Sequence, residues 1–147
     1  MFIYNDGGRE KAGYQGRTGD CVTRAIAIAL ELPYEKVYAD LHALLKADKK
    51  QIESGKTSPR QGVPKQISRK YLAGLGWEFV PTMGIGTGCK VHLKPNELPR
   101  GRIIAKVSKH MVAVIDGVIH DTHDCARGGT RCVYGYYSKK AVRRQIF

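Results

Sequence analysis

Apolar residues fall into two regimes along this chain, a helical one in the first half and strand-length blocks in the second. Val22, Ala25, Ile26, Ala27, Ile28, Ala29 and Leu30 leave hardly a polar position, which predicts a helix over about Cys21–Leu32 buried nearly all round. Asp20 or Thr18 can cap it. Pro33 stops it and can open the next helix. Over Tyr34–Lys49, Val37, Leu41, Leu44 and Leu45 repeat at the i, i+4, i+7, i+8 spacing of an amphipathic stripe. Asp48–Gly62 is polar and without period, so a long loop is expected. Ile67, Tyr71, Leu72 and Leu75 share one face of a third helix over Pro64–Leu75, ended by Gly74 or Gly76.

After residue 76 the blocks shorten. Trp77–Val80, Arg102–Val107, Met111–Ile115, Val118–Thr122 and Cys132–Tyr137 read as strands, with Val91–Leu93 as a shorter one and Thr82–Cys89 as a glycine-rich loop. Asp116-Gly117 is a strong hairpin signal between two of them. Met1–Tyr4 predicts a brief strand before a turn at Asn5–Gly8. The basic tail from Ser138 to Phe147 reads as a last strand or short helix. Helices first and antiparallel sheet second argue an α+β fold. A chain of 147 residues suits one domain, with a helical part over about 15–76 and a sheet part over about 77–147.

Composition narrows the setting. No apolar run approaches the roughly 18 residues of a membrane span, so no membrane partner is expected. The opening Met1–Asp6 lacks a basic stretch followed by an apolar one, so a cytoplasmic chain with four reduced cysteines is expected. Lys and Arg number 25 against 13 Asp and Glu, a net charge of +12, which favours an acidic partner.

Candidate chemistry centres on Cys21. A polar, glycine-rich loop delivers it to the first turn of the buried helix, where the helix dipole favours a thiolate. His110 heads the Met111–Ile115 strand, and Asp121 lies on the strand across the hairpin, so the two can meet. Cysteine, histidine and an orienting carboxylate are the parts of a nucleophile–base–orienter site. Gln15 can bring a side-chain N–H to the oxyanion formed when Cys21 attacks a carbonyl.

The order Gln15, Cys21, His110, Asp121, with Gln-x5-Cys opening a buried helix, resembles the papain-like cysteine peptidases. The form Gly19-Asp20-Cys21 is similar to the peptidase domains of bacteriocin-processing transporters. The resemblance spans Gln15 to Asp121. It implies a papain-like α+β fold, with a buried central helix packed on a C-terminal antiparallel sheet. It also implies roles: Cys21 as nucleophile, His110 as base and acid, Asp121 as its orienter, and Gln15 with the Cys21 backbone N–H at the oxyanion. The sequence departs from the family in having Val22, not an aromatic, after the cysteine, a short His-to-acid interval and no large second lobe. The strings Val114–Thr122 and Gly129–Tyr136 look like those of small phage and prophage proteins, which implies a host cytoplasm.

Rival readings attach to the same residues. His120, His123, Cys125 and Cys132 suggest a metal site, but their spacing matches no regular zinc motif, and neither a metal nor another cofactor is expected. Cys89 reads as an incidental thiol. Ser54-Gly55-Lys56-Thr57 lacks the upstream strand and full motif of a phosphate loop. Lys46, Lys49, Lys50, Lys56, Arg60, Lys65, Arg69 and Lys70 form one basic belt. Arg127, Arg131, Lys139, Lys140, Arg143 and Arg144 form another, interleaved with Tyr134, Tyr136 and Tyr137, a pattern that can bind nucleic acid or simply face solvent. The expectation is a thiol hydrolase cleaving a peptide, isopeptide or other amide bond in a protein or peptide substrate. The alternative is an inactive scaffold that binds nucleic acid or an acidic protein surface. Oligomeric state is left open.

Overall fold

A computed structural model describes residues 1–15 and 19–140. The Thr18 cap, and Arg143 and Arg144 with most of the basic tail, lie outside the described residues. Among those described, four α-helices and one six-stranded sheet form a mixed α+β fold. The helices are α1 (Cys21–Leu30), α2 (Tyr34–Ala47), α3 (Lys49–Ser54) and α4 (Lys65–Gly74). The strands are β1 (Phe2–Tyr4), β2 (Trp77–Pro81), β3 (Arg102–Val107), β4 (His110–Ile115), β5 (Val118–Asp121) and β6 (Gly135–Lys139). They lie in the order β1-β5-β4-β3-β6-β2. The C-terminal strands β2 to β6 pair antiparallel, as expected, and the N-terminal β1 adds to one edge in parallel with β5. A three-residue apolar block announces a strand but not its partner.

Every residue from Val22 to Ala29 is buried, as the unbroken apolar pattern requires. Alternation along β3 and β4 divides their side chains between two clusters. Ile104, Met111 and Ala113 pack on α1, joined by Val37, Leu41 and Leu45 of α2 and Leu72 of α4. Ile103, Ala105, Val107, Val112 and Val114 face the other way, under irregular segments that carry Leu93, Leu98, Cys125 and Val133. Each fully buried aliphatic side chain contributes roughly 1.5–3 kcal/mol.

α1 is shorter than its pattern predicts. Glu31 turns into the left-handed region at φ 56°. Arg102 then donates from Nε to the Ala29 carbonyl (2.9 Å) and from Nη2 to the Ile28 carbonyl (2.8 Å). These bonds satisfy carbonyls that a helix end leaves open. The expected long loop at Asp48–Gly62 is also corrected, because it contains α3 and a 3-10 turn at Pro59–Gln61. Asp48 accepts the Gln51 N–H, and Ser58 with Gln61 forms a capping box. The polar residues that read as loop are caps. Gly55 closes the C-terminus of α3, the end of a helix that repels phosphate.

Val91–Leu93 forms only an isolated bridge, His92 with Cys132, and β6 starts at Gly135 rather than Cys132. The expectation of four reduced thiols is corrected: Cys89 and Cys132 form a disulfide, with Cα atoms 5.8 Å apart. Two backbone bonds, Val133 N–H to Val91 and Leu93 N–H to Arg131, both 2.8 Å, lay the segments side by side. A separation of 43 residues conceals that neighbourhood. Disulfides persist in oxidising settings, so this bond does not accord with the reducing cytosol expected from the sequence. No helix among the described residues is long and apolar enough to cross a membrane.

Candidate active site

Three element ends converge. Cys21 opens α1, His110 opens β4 and Asp121 closes β5. The hairpin joining the two strands turns through Asp116 (φ 49°) and Gly117 (φ 79°), two successive positive values that fit a tight two-residue turn. It pairs Val114 with Ile119 and Ala113 with His120. His110 and Asp121 then fall at the open end of the hairpin, with His110 Nε2 2.6 Å from Asp121 Oδ2. The Cys21 thiol lies within electrostatic reach of the same imidazole, of the Met111 backbone N–H and of Arg24.

The charges are mutually adjusted. Burial alone would raise the Cys21 thiol. The hydrogen bond and charge of His110, the Met111 N–H and Arg24 outweigh it and bring the thiol below its ordinary value. Burial alone would lower His110. Bonds to Asp121, Cys125 and Cys21 instead push the imidazolium up to about 11. Asp121 is likewise held below the carboxylate range, against desolvation, by His110, the Thr122 N–H and Arg24. The arrangement favours a thiolate–imidazolium pair with a carboxylate behind it.

Two members of the site escaped the sequence reading. Arg24, on the buried face of α1, lies 3.2 Å from Asp121 Oδ1 and is paired with Asp20. Asp20 is wholly buried. Its expected capping role is corrected, since its side chain makes no cap bond. The carboxylate is engaged instead by Arg24, by the Tyr34 hydroxyl at 2.6 Å and by Arg9 at 3.4 Å. An arginine amid the apolar run of α1 is the signal that pointed here, because a buried guanidinium needs a carboxylate. The second is Cys125, a buried free thiol that meets His110 from the loop side of the sheet. No spacing rule announces it.

Cys21 and His110 open onto a cleft of about 470 Å3, also lined by Gly62, Val63, Lys65, Lys106 and Lys109. Gln15 is not among the described residues that line it. Gln15 is exposed, and its backbone carbonyl accepts the Arg60 guanidinium.

The four candidate metal ligands do not assemble. Cys132 is in the disulfide, and His120 bonds Asn5. Cys125 instead groups with His110 and Asp121, their ligand atoms lying within 4.8 Å of one another. A dication there would stand beside the Arg24 guanidinium, which already holds the other Asp121 oxygen. That charge opposes metal binding. In the basic belts, Arg131 is committed to the Cys125 and Ser108 carbonyls, Arg69 lies over the Phe79 ring at 4.5 Å, and Tyr137 is buried.

Comparison of the chain with protein-family models, with curated proteins and with solved structures gives no significant match.

Proposed function

We propose that the chain is a thiol hydrolase of papain-like design that cleaves a peptide, isopeptide or other amide bond. The observation that carries the reading is the 2.6 Å bond from His110 to Asp121 on the wall of a cleft where the same imidazole meets the Cys21 thiol. Asp121 holds Nε2, which leaves Nδ1 to exchange a proton with sulfur or leaving group.

In this scheme the Cys21 thiolate attacks the carbonyl carbon, and the electron pair of the C=O bond moves to oxygen. The N–H groups of the first turn of α1 have no partner within the helix and can face that oxyanion. The oxyanion collapses, the C–N bond breaks, and His110 gives its proton to the departing amine. A thioester remains on Cys21. Water attacks it as His110 takes the water proton. The C–S bond breaks, the acid leaves, and the thiolate–imidazolium pair is restored.

The test is Cys21→Ala assayed on a peptide library with hydrolysis followed by mass spectrometry. The native protein cleaves, and the variant loses about 10^4-fold or more of the rate while keeping its circular dichroism. Cleavage undiminished in the variant ends the reading. Absence of cleavage by the native protein, with binding retained, leaves the inactive basic scaffold in its place.

A further inference from the structure

Among the described residues, the cleft beside Cys21 is lined by three lysines and no carboxylate. Lys65 stands at the start of α4, Lys106 near the end of β3, and Lys109 in the turn before His110. No ion pair among the described residues involves any of them. The nearby acids cannot serve them, because Asp20 and Asp121 are buried and already held by Arg24. His123 adds a further basic group, its ring centre 5.2 Å from that of His110. Lys109 also occupies a left-handed backbone position, φ 55°. Glycine or asparagine would sit there with less strain.

We propose that this cleft selects acidic peptide segments, with aspartate or glutamate side chains seated against Lys65, Lys106 and Lys109 on either side of the bond that Cys21 faces. The inference rests on the hydrolase reading for its chemistry, but the anion preference stands on the lining alone. A cleft of one charge sign concentrates oppositely charged ligands. The rest of the lining suits a peptide better than a nucleic acid strand. Val22, Val63 and Met111 give an apolar floor. Among the described residues of the lining the one Tyr, Phe or Trp is Tyr137, which is 1% exposed with its ring against Phe79, so it offers no face on which a base could stack.

Two measurements test this without relying on turnover. The first is the ratio of Cys21 alkylation rates with iodoacetate and with neutral iodoacetamide, read by mass spectrometry. In a variant combining Lys65→Gln, Lys106→Gln and Lys109→Asn the ratio falls about tenfold, and in the native protein it falls with added salt. A ratio that moves with neither overturns the proposal. The second is titration of the Cys21→Ala protein with an Asp/Glu hexapeptide, its Asn/Gln counterpart and a hexathymidylate. The acidic peptide binds at least about tenfold tighter than its counterpart and is not displaced by the oligonucleotide. Equal binding of the two peptides, or displacement by hexathymidylate, overturns the proposal. Selective binding by the variant, with no cleavage of the acidic peptide by the native protein, defeats the hydrolase reading alone. Cleavage with equal kcat/KM for acidic and neutral peptides defeats the selectivity alone.

Discussion

The Arg24 guanidinium lies 3.2 Å from Asp121 Oδ1 while also holding Asp20. One side chain thus ties the helix that carries the thiol to the strand that carries the acid. Arg24→Met takes from two buried carboxylates the cation they share, leaving Asp20 with Arg9 and Asp121 with His110, and removing one partner of a buried pair costs about 3–5 kcal/mol. Thermal denaturation of the variant shows a lower midpoint, and adding Asp20→Asn restores part of the loss. A midpoint equal to that of the native protein contradicts the clamp.

Cys21 is expected to alkylate below the pH of a free thiol, about 8.5, because His110 and Met111 favour its thiolate. In His110→Ala the hydrogen bond and the charge both go. The pH profile of Cys21 alkylation then moves up, and at pH 6 the native protein reacts at least about tenfold faster than the variant. Superimposable profiles would show that the imidazole does not act on the sulfur.

Stability should carry the same signature. The folded His110 sits at about 11, above its ordinary 6.5. Its contribution is therefore complete below pH 6.5 and is lost as pH rises toward 11. Asp121 is depressed below its ordinary 3.8, so its contribution is complete above that value and is lost as pH falls through the folded one. Cys21, lowered from 9.0, contributes fully above that pH and less as pH falls, which offsets part of the histidine slope. The melting-point gap between native protein and His110→Gln is accordingly widest near pH 6 and narrows toward pH 10. A gap constant across that series removes the linkage.

The Cys89–Cys132 bond spans 43 residues, and closing a loop of that length in the unfolded chain is worth about 4 kcal/mol in the chain-entropy account. Cys89→Ser with Cys132→Ser lowers the unfolding free energy by that order, read by chemical denaturation. Cys21 alkylation in the folded double variant stays as in the native protein, because the bond lies in the cover of the opposite sheet face. A changed Cys21 profile would place the disulfide in the site.

Gly135 opens β6 where it passes β2. A Cβ there would overlap Phe79 Cζ and come within 2.8 Å of the Val80 carbonyl oxygen. Phe79 is packed on Tyr137, ring centres 4.9 Å apart, so neither neighbour yields easily. Gly135→Ala costs about 1–3 kcal/mol or more in chemical denaturation. A neutral substitution would show that the strands are looser than drawn.

Apolar periodicity made α1, α2 and α4 legible, because burial on one face or all round leaves a trace in every turn. β3, the hairpin and the meeting of His110 with Asp121 were legible for a related reason: Asp116-Gly117 fixes which residues oppose one another. α3 was not, since six residues with no buried member leave no stripe. Partners distant in sequence were the other gap. The Cys89–Cys132 bond, the parallel β1 and the approach of Cys125 to His110 all depend on how irregular segments lie over the sheet, which no local pattern encodes. Asp20 was misassigned because a carboxylate before a helix fits a cap, and only the buried Arg24 one turn later reveals its other engagement.

Arg102 fastens the last turn of α1 to β3, while Met111 and Arg24 fasten the first turn to β4 and β5. A rod secured at both ends has no pivot. The helix that carries the Cys21 sulfur is thus tied at both ends to the sheet that carries His110. On the facing bank, Gly62, at φ 96°, joins the 3-10 turn to α4. Changes that stiffen that bank should slow the entry and exit of ligand and leave the reactivity of the thiol itself untouched.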